Sequence, residues 1–224
     1  MNFVVDQSVI DLGVVIRGVE ITDIDNSYYP EELKVYIEDH IHELLKTETL
    51  ETINNNRIIQ GFYDLHQKIN VPKRKNIPAS ENLLKSLVKK KATYSINPIV
   101  DIYNLVSMES KLALGAHDID HIEGNMNLKL TDGTETFIPL GQSETKKVKE
   151  GIYSYIDDSH DILCYLEVRQ VDKTKITENS ENVFYIVQGN ENTTQEYVDK
   201  VARHLIDITT LFLGGEGQFL SSGR

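Results

Sequence analysis

The chain has 224 residues, a formal net charge of −12 and a single cysteine, Cys164. This length suits one large domain with a substantial core. No apolar run approaches the ~18 residues that a membrane span needs, and no basic region precedes an apolar stretch at the N-terminus, so neither a membrane span nor a secretory signal is expected. One cysteine cannot form an internal disulfide, and its apolar neighbours favour a buried small hydrophobe in a reducing, cytoplasmic compartment.

The first part of the chain combines short strands with helices. Strands are predicted at residues 3–5 and 12–21, and Pro30 marks the start of a helix. Apolar residues then recur at the spacing of amphipathic helices. They are Leu33, Ile37, Ile41 and Leu44 in one helix, and Ile58, Phe62, Leu65 and Ile69 in the next.

A basic segment lies in this region, although the chain as a whole is acidic. Residues 66–91 contain eight basic side chains and one acidic side chain, Glu81, and a short helix is predicted from Pro78 to the lysine run. Phosphate contacts need a local positive patch, so the segment is a candidate RNA-binding surface; a solvated lysine-rich helix face has the same composition. The residues predicted to contact RNA are Lys73, Arg74, Lys75, Lys89 and Lys90.

Residues 97–121 form the most informative stretch. After Pro98 the apolar residues follow helical spacing, and Asp101 and Asn104 lie on a polar stripe. Gly115 then marks a predicted turn that leads into the polar cluster HDIDH at residues 117–121. Such a helix and turn can form one wall of a site, and a surface helix with a solvated turn is the alternative.

The second half of the chain has the two-residue period of strands. Residues 126–130 and 135–138 flank Asp132 and Gly133, which predicts a β-hairpin. Further strands are predicted at residues 152–156, 162–168 and 183–187, and a final helix from the apolar residues Val198, Val201, Leu205, Ile208 and Phe212.

Together these elements predict an α+β fold, with largely antiparallel β-sheet layers and helices packed outside. We expect a single domain in which residues 1–92 are a helical lead-in and residues 93–213 are the core. Residues 214–224, which begin with a glycine-rich run, are predicted to be a flexible tail.

Three stretches together resemble a known family. Residues 97–120, NPIVDIYNLVSMESKLALGAHDID, resemble a helix and the segment after it in the B3/B4 tRNA-binding domain, the editing module of the phenylalanyl-tRNA synthetase beta subunit. Residues 167–177, EVRQVDKTKIT, and the helix–loop–helix at residues 62–90 resemble free-standing relatives of that domain. The resemblance covers about residues 55–190 and implies the same fold in a tRNA-binding protein.

The resemblance also implies a reaction, the hydrolysis of the ester that joins a wrong amino acid to the 3′ end of a tRNA. This reaction needs a group for the α-amine, a positioned water and donors for the oxyanion. Asp101 and Asp118 are candidates to hold the amine or orient the water, and Asn104 to fix a carbonyl or a ribose hydroxyl. Each also has an ordinary structural explanation as a helix-face or turn residue.

A second candidate set lies at the 167–177 stretch. Arginine and lysine mixed with hydroxyls suit contacts to a phosphate or carboxylate, although an exposed strand looks the same in sequence. The predicted substrate-binding residues are Arg169, Lys173, Thr174, Lys175 and Thr177, together with Asp101, Asn104 and Gly115.

The chain departs from the synthetase pattern at Gly115, which aligns with a histidine that is implicated in editing. The free-standing relatives share the glycine. We predict Asp118 as the catalytic base and His117 as the second candidate, with assistance from a free ribose hydroxyl of the tRNA as a third route. His117 and His121 resemble a partial metal site, but no third ligand is evident, so neither a metal nor another cofactor is predicted.

The leading hypothesis is therefore a cytoplasmic trans-editing aminoacyl-tRNA deacylase whose partner is the aminoacylated 3′ end of tRNA. The alternative, which the missing histidine favours, is a non-catalytic tRNA- or amino-acid-binding module with the same fold. A small-molecule hydrolase or sensor without an RNA role is the third possibility.

Overall fold

The computed structural model describes residues 1–220 and the backbone of residues 222 and 223. Its helices are α1 (Gln7–Asp11), α2 (Glu31–Thr47), α3 (Leu50–Asn54), α4 (Arg57–Lys68), α5 (Ala79–Lys90), α6 (Pro98–Ser110) and α7 (Gln195–Leu213), with 3₁₀ turns at Lys73–Lys75 and Ile119–His121. Its strands are β1 (Phe3–Val5), β2 (Val15–Thr22), β3 (Ala113–Asp118), β4 (Met126–Leu130), β5 (Thr136–Phe137), β6 (Lys146–Lys147), β7 (Tyr153–Ile156), β8 (Ile162–Tyr165), β9 (Arg169–Gln170), β10 (Val183–Gly189), β11 (Glu216–Phe219) and β12 (Ser222–Gly223).

Two β-sheets form the centre of the fold. The larger sheet has the strand order β12-β1-β4-β7-β8-β9, the smaller sheet has the order β11-β2-β10-β3, and β5 pairs with β6. Strand β1 runs parallel to β4 and β12, and the other pairs are antiparallel. The predicted α+β class with largely antiparallel sheet layers is confirmed.

The helices lie outside the sheets, as predicted. α6 and α7 cover one face of the smaller sheet, where Ile102 and Leu205 are fully buried. The other face packs on the larger sheet, and there Phe3 stacks with Tyr155 and contacts Phe184. None of the described helices is both long and apolar enough to cross a membrane.

Polar residues fix the starts of the helices that position the site. Asn56 caps α4 by accepting hydrogen bonds from the amides of Ile58 and Ile59. Asn97 caps α6 by accepting one from the Val100 amide. Such caps satisfy donors that have no partner inside the helix. The predicted helices at these positions are confirmed.

The predicted hairpin around Asp132 and Gly133 is wrong. β4 pairs with β1 on one side and β7 on the other, so it has no free edge for the following segment. The amides of Asp132 and Gly133 instead donate to the Glu135 carboxylate at 3.1 Å. This side chain closes the turn, and the chain then leaves the sheet to form β5.

The turn predicted at Gly115 is also wrong, because residues 113–118 form the extended strand β3. The chain turns only after Asp118, in the 3₁₀ turn at Ile119–His121. The glycine therefore has a different role, which its neighbours in the cavity described below explain.

The predicted flexible tail contains a strand. β11 pairs with β2, and the guanidinium groups of Arg17 and Arg203 lie 5.1 Å and 4.8 Å from the centroid of the Phe219 ring. These contacts hold residues 216–219 against the smaller sheet. Residues 221 and 224, which belong to the same predicted tail, lie outside the described residues.

Candidate functional site

A cavity of about 550 Å³ lies where α5 and α6 meet the edges of both sheets. Strands β3, β7, β8 and β9 contribute to its walls, together with residues 139–142. This volume is in the range of pockets that bind small molecules.

Asn104 and Arg169 line this cavity together, although 64 residues separate them in the chain. Asn104 lies on α6 and Arg169 begins β9. Both side chains are partly exposed, and one guanidinium nitrogen of Arg169 donates a 2.7 Å hydrogen bond to the Lys75 carbonyl oxygen. Asn104 and Arg169, both predicted to bind substrate, therefore line the same cavity.

Gly115 has no side chain, so at this position the cavity reaches the backbone of β3. A Cβ atom at this position would lie 2.7 Å from Nε2 of Gln170, which donates a 3.2 Å hydrogen bond to the Ala116 carbonyl oxygen. Gln170 thus occupies the space of a side chain that residue 115 lacks. Both residues line the cavity.

The outer edge of β3 directs alternate backbone groups away from the sheet. Peptide groups of an edge strand point alternately toward and away from the partner strand, here β10. The Asp118 amide donates outward to the Thr174 carbonyl oxygen at 3.0 Å, and the Ala116 carbonyl accepts outward from Gln170. The same alternation directs the amides of Leu114 and Ala116 outward, and among the described residues neither has a hydrogen-bond acceptor.

Asp101, which was predicted to bind substrate, does not line the first cavity. Its buried carboxylate accepts hydrogen bonds from the Tyr29 hydroxyl at 2.8 Å, the Ser95 hydroxyl at 2.6 Å and the Ile96 amide at 2.9 Å. These groups belong to a second cavity of about 440 Å³, which adjoins the first at Leu83 and Asn104. The carboxylate fastens residues 95–96 to α6, so its position does not support a role beside Asn104 in the first cavity.

His117 and Asp118 lie outside both cavity linings. The Asp118 carboxylate accepts hydrogen bonds from the Ser180 hydroxyl at 2.6 Å and the Asp120 amide at 3.0 Å. His117 is 1% exposed, its Nδ1 lies 2.7 Å from the Thr174 hydroxyl, and burial lowers the pKa of its imidazole to about 4. The geometry therefore does not support a catalytic role for either side chain in the first cavity, because strand β3 carries them past it.

The remaining residues of the 173–177 stretch are occupied by structural contacts. Lys173 forms ion pairs with Asp157 at 2.9 Å and Asp161 at 2.7 Å, and these pairs raise the pKa of its ammonium group although burial opposes the shift. Lys175 pairs with Asp172, and the Thr177 amide donates to the Ser180 hydroxyl. None of Lys173, Thr174, Lys175 and Thr177 is among the described lining residues of either cavity.

The predicted RNA-binding residues divide into two groups. Lys73, Arg74 and Lys75 are exposed in a 3₁₀ turn, and Arg74 and Lys75 line the first cavity. Lys89 and Lys90 end α5 outside both linings, and the Lys90 ammonium lies 4.6 Å from the centroid of the exposed Tyr94 ring.

A buried polar layer beside the first cavity was not predicted as a site. Glu167 lines the cavity, and its carboxylate contacts His66 and the Tyr153 hydroxyl. Tyr155, also in the lining, donates a 2.6 Å hydrogen bond to Gln188 across the two sheets. Cys164 is buried as predicted, but it too lines the cavity, and burial, then the charge of Glu167, raise the pKa of its thiol.

The sequence contained two signals for this layer. Glu167 is the first residue of the EVRQVDKTKIT stretch, and His66 lies four residues after Phe62 on the apolar stripe of α4. A histidine and a carboxylate on buried positions need partners. In the described part of the chain, no group of three or more His, Cys, Asp or Glu side chains is arranged to hold a metal ion.

The fold is that of an α+β domain with a cavity at the junction of a helix layer and two mainly antiparallel sheets. The chain belongs to the B3/4 domain family, whose family model matches residues 68–205. This match includes Arg74, Asn104, Gly115 and Arg169, and it confirms the predicted family.

A solved structure with a similar fold is the crystal structure of an N-terminal fragment of the phenylalanyl-tRNA synthetase beta-subunit from Pyrococcus horikoshii. The two chains share 15% identity with a TM-score of 0.51, and the match covers 96% of this chain and 50% of that chain. The present chain thus spans about half the length of the fragment, and identity this low shows a likeness of fold alone. A search of curated proteins finds no match.

Proposed function

We propose that this protein binds the aminoacylated 3′ end of tRNA in the first cavity and hydrolyses the ester of a wrongly attached amino acid. The family and the fold shared with a fragment of a phenylalanyl-tRNA synthetase subunit support a tRNA-related role. The cytoplasm, where aminoacyl-tRNA is made and used, is the proposed compartment.

The observation that carries the proposal is the distribution of charge around the cavity. The exposed side chains of Arg74 and Lys75 and the half-exposed Arg169 belong to the same lining as the buried Glu167. Cations at the solvent side suit the phosphates of an RNA end, and the enclosed volume suits the amino acid that the end carries. A ligand with phosphates at the solvent side and a small group in the enclosed part matches this arrangement.

The backbone of β3 supplies the groups that an ester needs. Leu114 belongs to the cavity lining, and its backbone amide, which points away from β10, has the polarity to stabilise an oxyanion. Asn104 on the neighbouring helix offers an amide to a carbonyl or a ribose hydroxyl. We infer that these groups position the ester.

The geometry favours a substrate-assisted route for the attack on the ester. His117 and Asp118 lie outside the cavity, and no described lining residue is a histidine. The substrate itself holds a free ribose hydroxyl next to the ester. Such proximity of a reacting group strongly increases the rate of a reaction. In this route the protein contributes orientation and oxyanion donors, while the tRNA hydroxyl orients the water.

A binding module without hydrolysis is the second candidate, and one observation favours it. Gly115 stands where the resembling synthetase domain has a histidine, and Gln170 fills the space beside it. Such a module would bind the same RNA end and leave the ester intact.

A panel of mischarged tRNAs tests the proposal directly. We expect the protein to release the amino acid from at least one of them. This activity should be lost when the free hydroxyl beside the ester on the terminal ribose is replaced by hydrogen. Binding without release would support the binding module instead. Absence of tRNA binding at low salt would contradict both candidates.

A further inference from the structure

The second cavity, of about 440 Å³, shares a wall with the first, because Leu83 and Asn104 line both. Its volume is also in the range of pockets that bind small molecules. In the proposed function the ester and its amino acid occupy only the first cavity. A ligand that reaches Asn104 from the first cavity can therefore extend past it into the second.

The helices around the second cavity give it an apolar lining. Its buried apolar side chains come from α2, α5 and α6, and they are Ile41, Leu87, Leu105 and Met108. Residues 92–96, between α5 and α6, complete the wall. A lining of this kind binds a group by removing apolar surface from water.

The segment at residues 92–96 presents two large side chains to solvent. Tyr94 is 73% exposed and Ile96 is 67% exposed, and both belong to the lining. The Asp101 carboxylate accepts hydrogen bonds from the Ser95 hydroxyl and the Ile96 amide, so it fixes the residues next to Tyr94 to α6. Exposed apolar groups that are already held in place at a cavity are typical of a binding surface.

The charges beside the aromatic rings disfavour a cationic ligand. The Lys34 ammonium lies 5.7 Å from the centroid of the Tyr29 ring, and the Lys90 ammonium lies 4.6 Å from that of Tyr94. Cations bind the faces of aromatic rings, and each of these rings already has one. Glu38, also in the lining, is exposed to water, where its charge is screened. A neutral, flat ligand suits this lining better than a charged one.

We propose that the second cavity binds the base of the terminal nucleotide of an RNA 3′ end, with the base stacked on Tyr94 and its ribose beside Asn104. The choice of an RNA end rests on the proposed function, whereas the preference for a neutral ring follows from the lining. Stacking on aromatic side chains is a main source of affinity for single-stranded RNA, and it tolerates any base. The positive charge of Lys90 beside the same ring suits the backbone of that strand.

Two short RNAs are suitable probes. One ends in CCA, the sequence of tRNA 3′ ends, and the other is identical except that its terminal ribose has no base. With the wild-type protein we expect the intact RNA to bind about tenfold more tightly, measured by calorimetry at one low salt concentration. Equal affinity of the two RNAs, or no measurable binding of the intact one, would overturn the proposal without any variant.

Variants at Tyr94 then assign the effect to one ring. Tyr94→Ala should lose about tenfold in affinity for the intact RNA and bind the abasic RNA as before, which also shows that the variant is folded. Tyr94→Phe keeps the ring and should keep the preference for the base. Tyr28→Ala is the matched control, since Tyr28 is 56% exposed and lies outside the described linings of both cavities.

Three results would contradict this assignment. They are a preference for the base that survives Tyr94→Ala, an equal loss in Tyr28→Ala, and a loss in Tyr94→Ala that is as large for the abasic RNA. The last result would place another part of the RNA, rather than the terminal base, against Tyr94.

The outcome is separable from that of the proposed hydrolysis. Binding that depends on the terminal base and on Tyr94, without release of any amino acid from tRNA, would sustain this inference and contradict the deacylase. Release of amino acids with no preference for the terminal base would do the reverse.

Discussion

His66 and Glu167 form a buried pair across 101 residues of chain, with 2.7 Å between Nε2 and Oε1. The pair joins α4 of the lead-in to the segment between β8 and β9. Because Glu167 lines the cavity, the lead-in helps to build the site rather than only flanking it. Removing the lead-in would therefore leave the carboxylate without one of its two buried partners, with only the Tyr153 hydroxyl remaining.

The exposed cations beside the cavity lead to the first prediction. We expect the triple variant Lys73→Ala, Arg74→Ala, Lys75→Ala to bind tRNA more weakly and to reduce the salt dependence of binding by up to about two phosphate-equivalents. Filter binding across a range of salt concentrations measures both effects.

A control for this prediction uses exposed lysines outside the cavity. Lys46, Lys149 and Lys200 are exposed and lie outside its lining, so their triple alanine variant removes the same charge elsewhere. Equal losses in the two variants would show that net charge, rather than this surface, determines binding.

The contacts of Asp118 lead to a second prediction. In Asp118→Asn, Oδ1 can still accept from the Asp120 amide and Nδ2 can donate to the Ser180 hydroxyl, so we expect a loss of only about 1 kcal/mol in the free energy of unfolding. Deacylation should be unchanged. Urea unfolding and single-turnover deacylation test the two parts, and a tenfold slower reaction would restore Asp118 as a candidate base.

The buried His117 leads to a third prediction, about pH. Its pKa falls from the ordinary value of 6.5 to about 4 in the folded protein because of burial. The unfolded chain therefore takes up a proton first as the pH falls, and stability is lost between about pH 6.5 and pH 4. The loss from this residue is up to about 3 kcal/mol.

His117→Gln provides the comparison, because glutamine does not titrate. We expect the stability difference between wild type and variant, measured from urea midpoints, to shift in favour of the variant as the pH falls from 7 to 4.5. The deacylation rate should show no step that depends on His117 between pH 6 and 7. A parallel decline of the two proteins would contradict the assignment.

The close approach of Gln170 to Gly115 leads to the fourth prediction. Gly115→Ala adds a Cβ that would lie 2.7 Å from Nε2 of Gln170, so Gln170 must move within the cavity. We expect little change in stability, because only the flexible end of Gln170 must move, but roughly tenfold weaker binding (about 1.4 kcal/mol) of a non-hydrolysable 3′-aminoacylamido-3′-deoxyadenosine, because the displaced amide takes up space in the cavity. Adding Gln170→Ala should recover most of that loss, and calorimetry on the four proteins of this cycle measures the coupling. Additive effects would show that the two residues act independently.

The elements around the cavity followed well from the sequence. Pro98 and the spacing after it predicted α6, and the capping contact of Asn97 confirms its start. Local spacing and capping chemistry determine this helix, so one sequence is enough to recognise it. Asn104 and Arg169 became candidates through the family resemblance, and they line one cavity.

The partners of the carboxylates did not follow from the sequence. Asp101 and Asp118 bind hydroxyls of Tyr29 and Ser180, which lie 72 and 62 residues away. The Glu167 carboxylate likewise has a distant partner, His66. Periodicity shows which face of an element is buried, but it does not show which polar group from another element meets that face.

Strand β11 has a consequence for the behaviour of the protein in concentrated solution. It covers the edge of β2, while the Asp118–Thr174 and Gln170–Ala116 contacts cover part of the outer edge of β3. Uncovered strand edges promote edge-to-edge aggregation. A shortened chain that lacks residues 216–219 would expose the edge of β2, so the last part of the chain helps to keep separate copies of the protein from joining through their sheets.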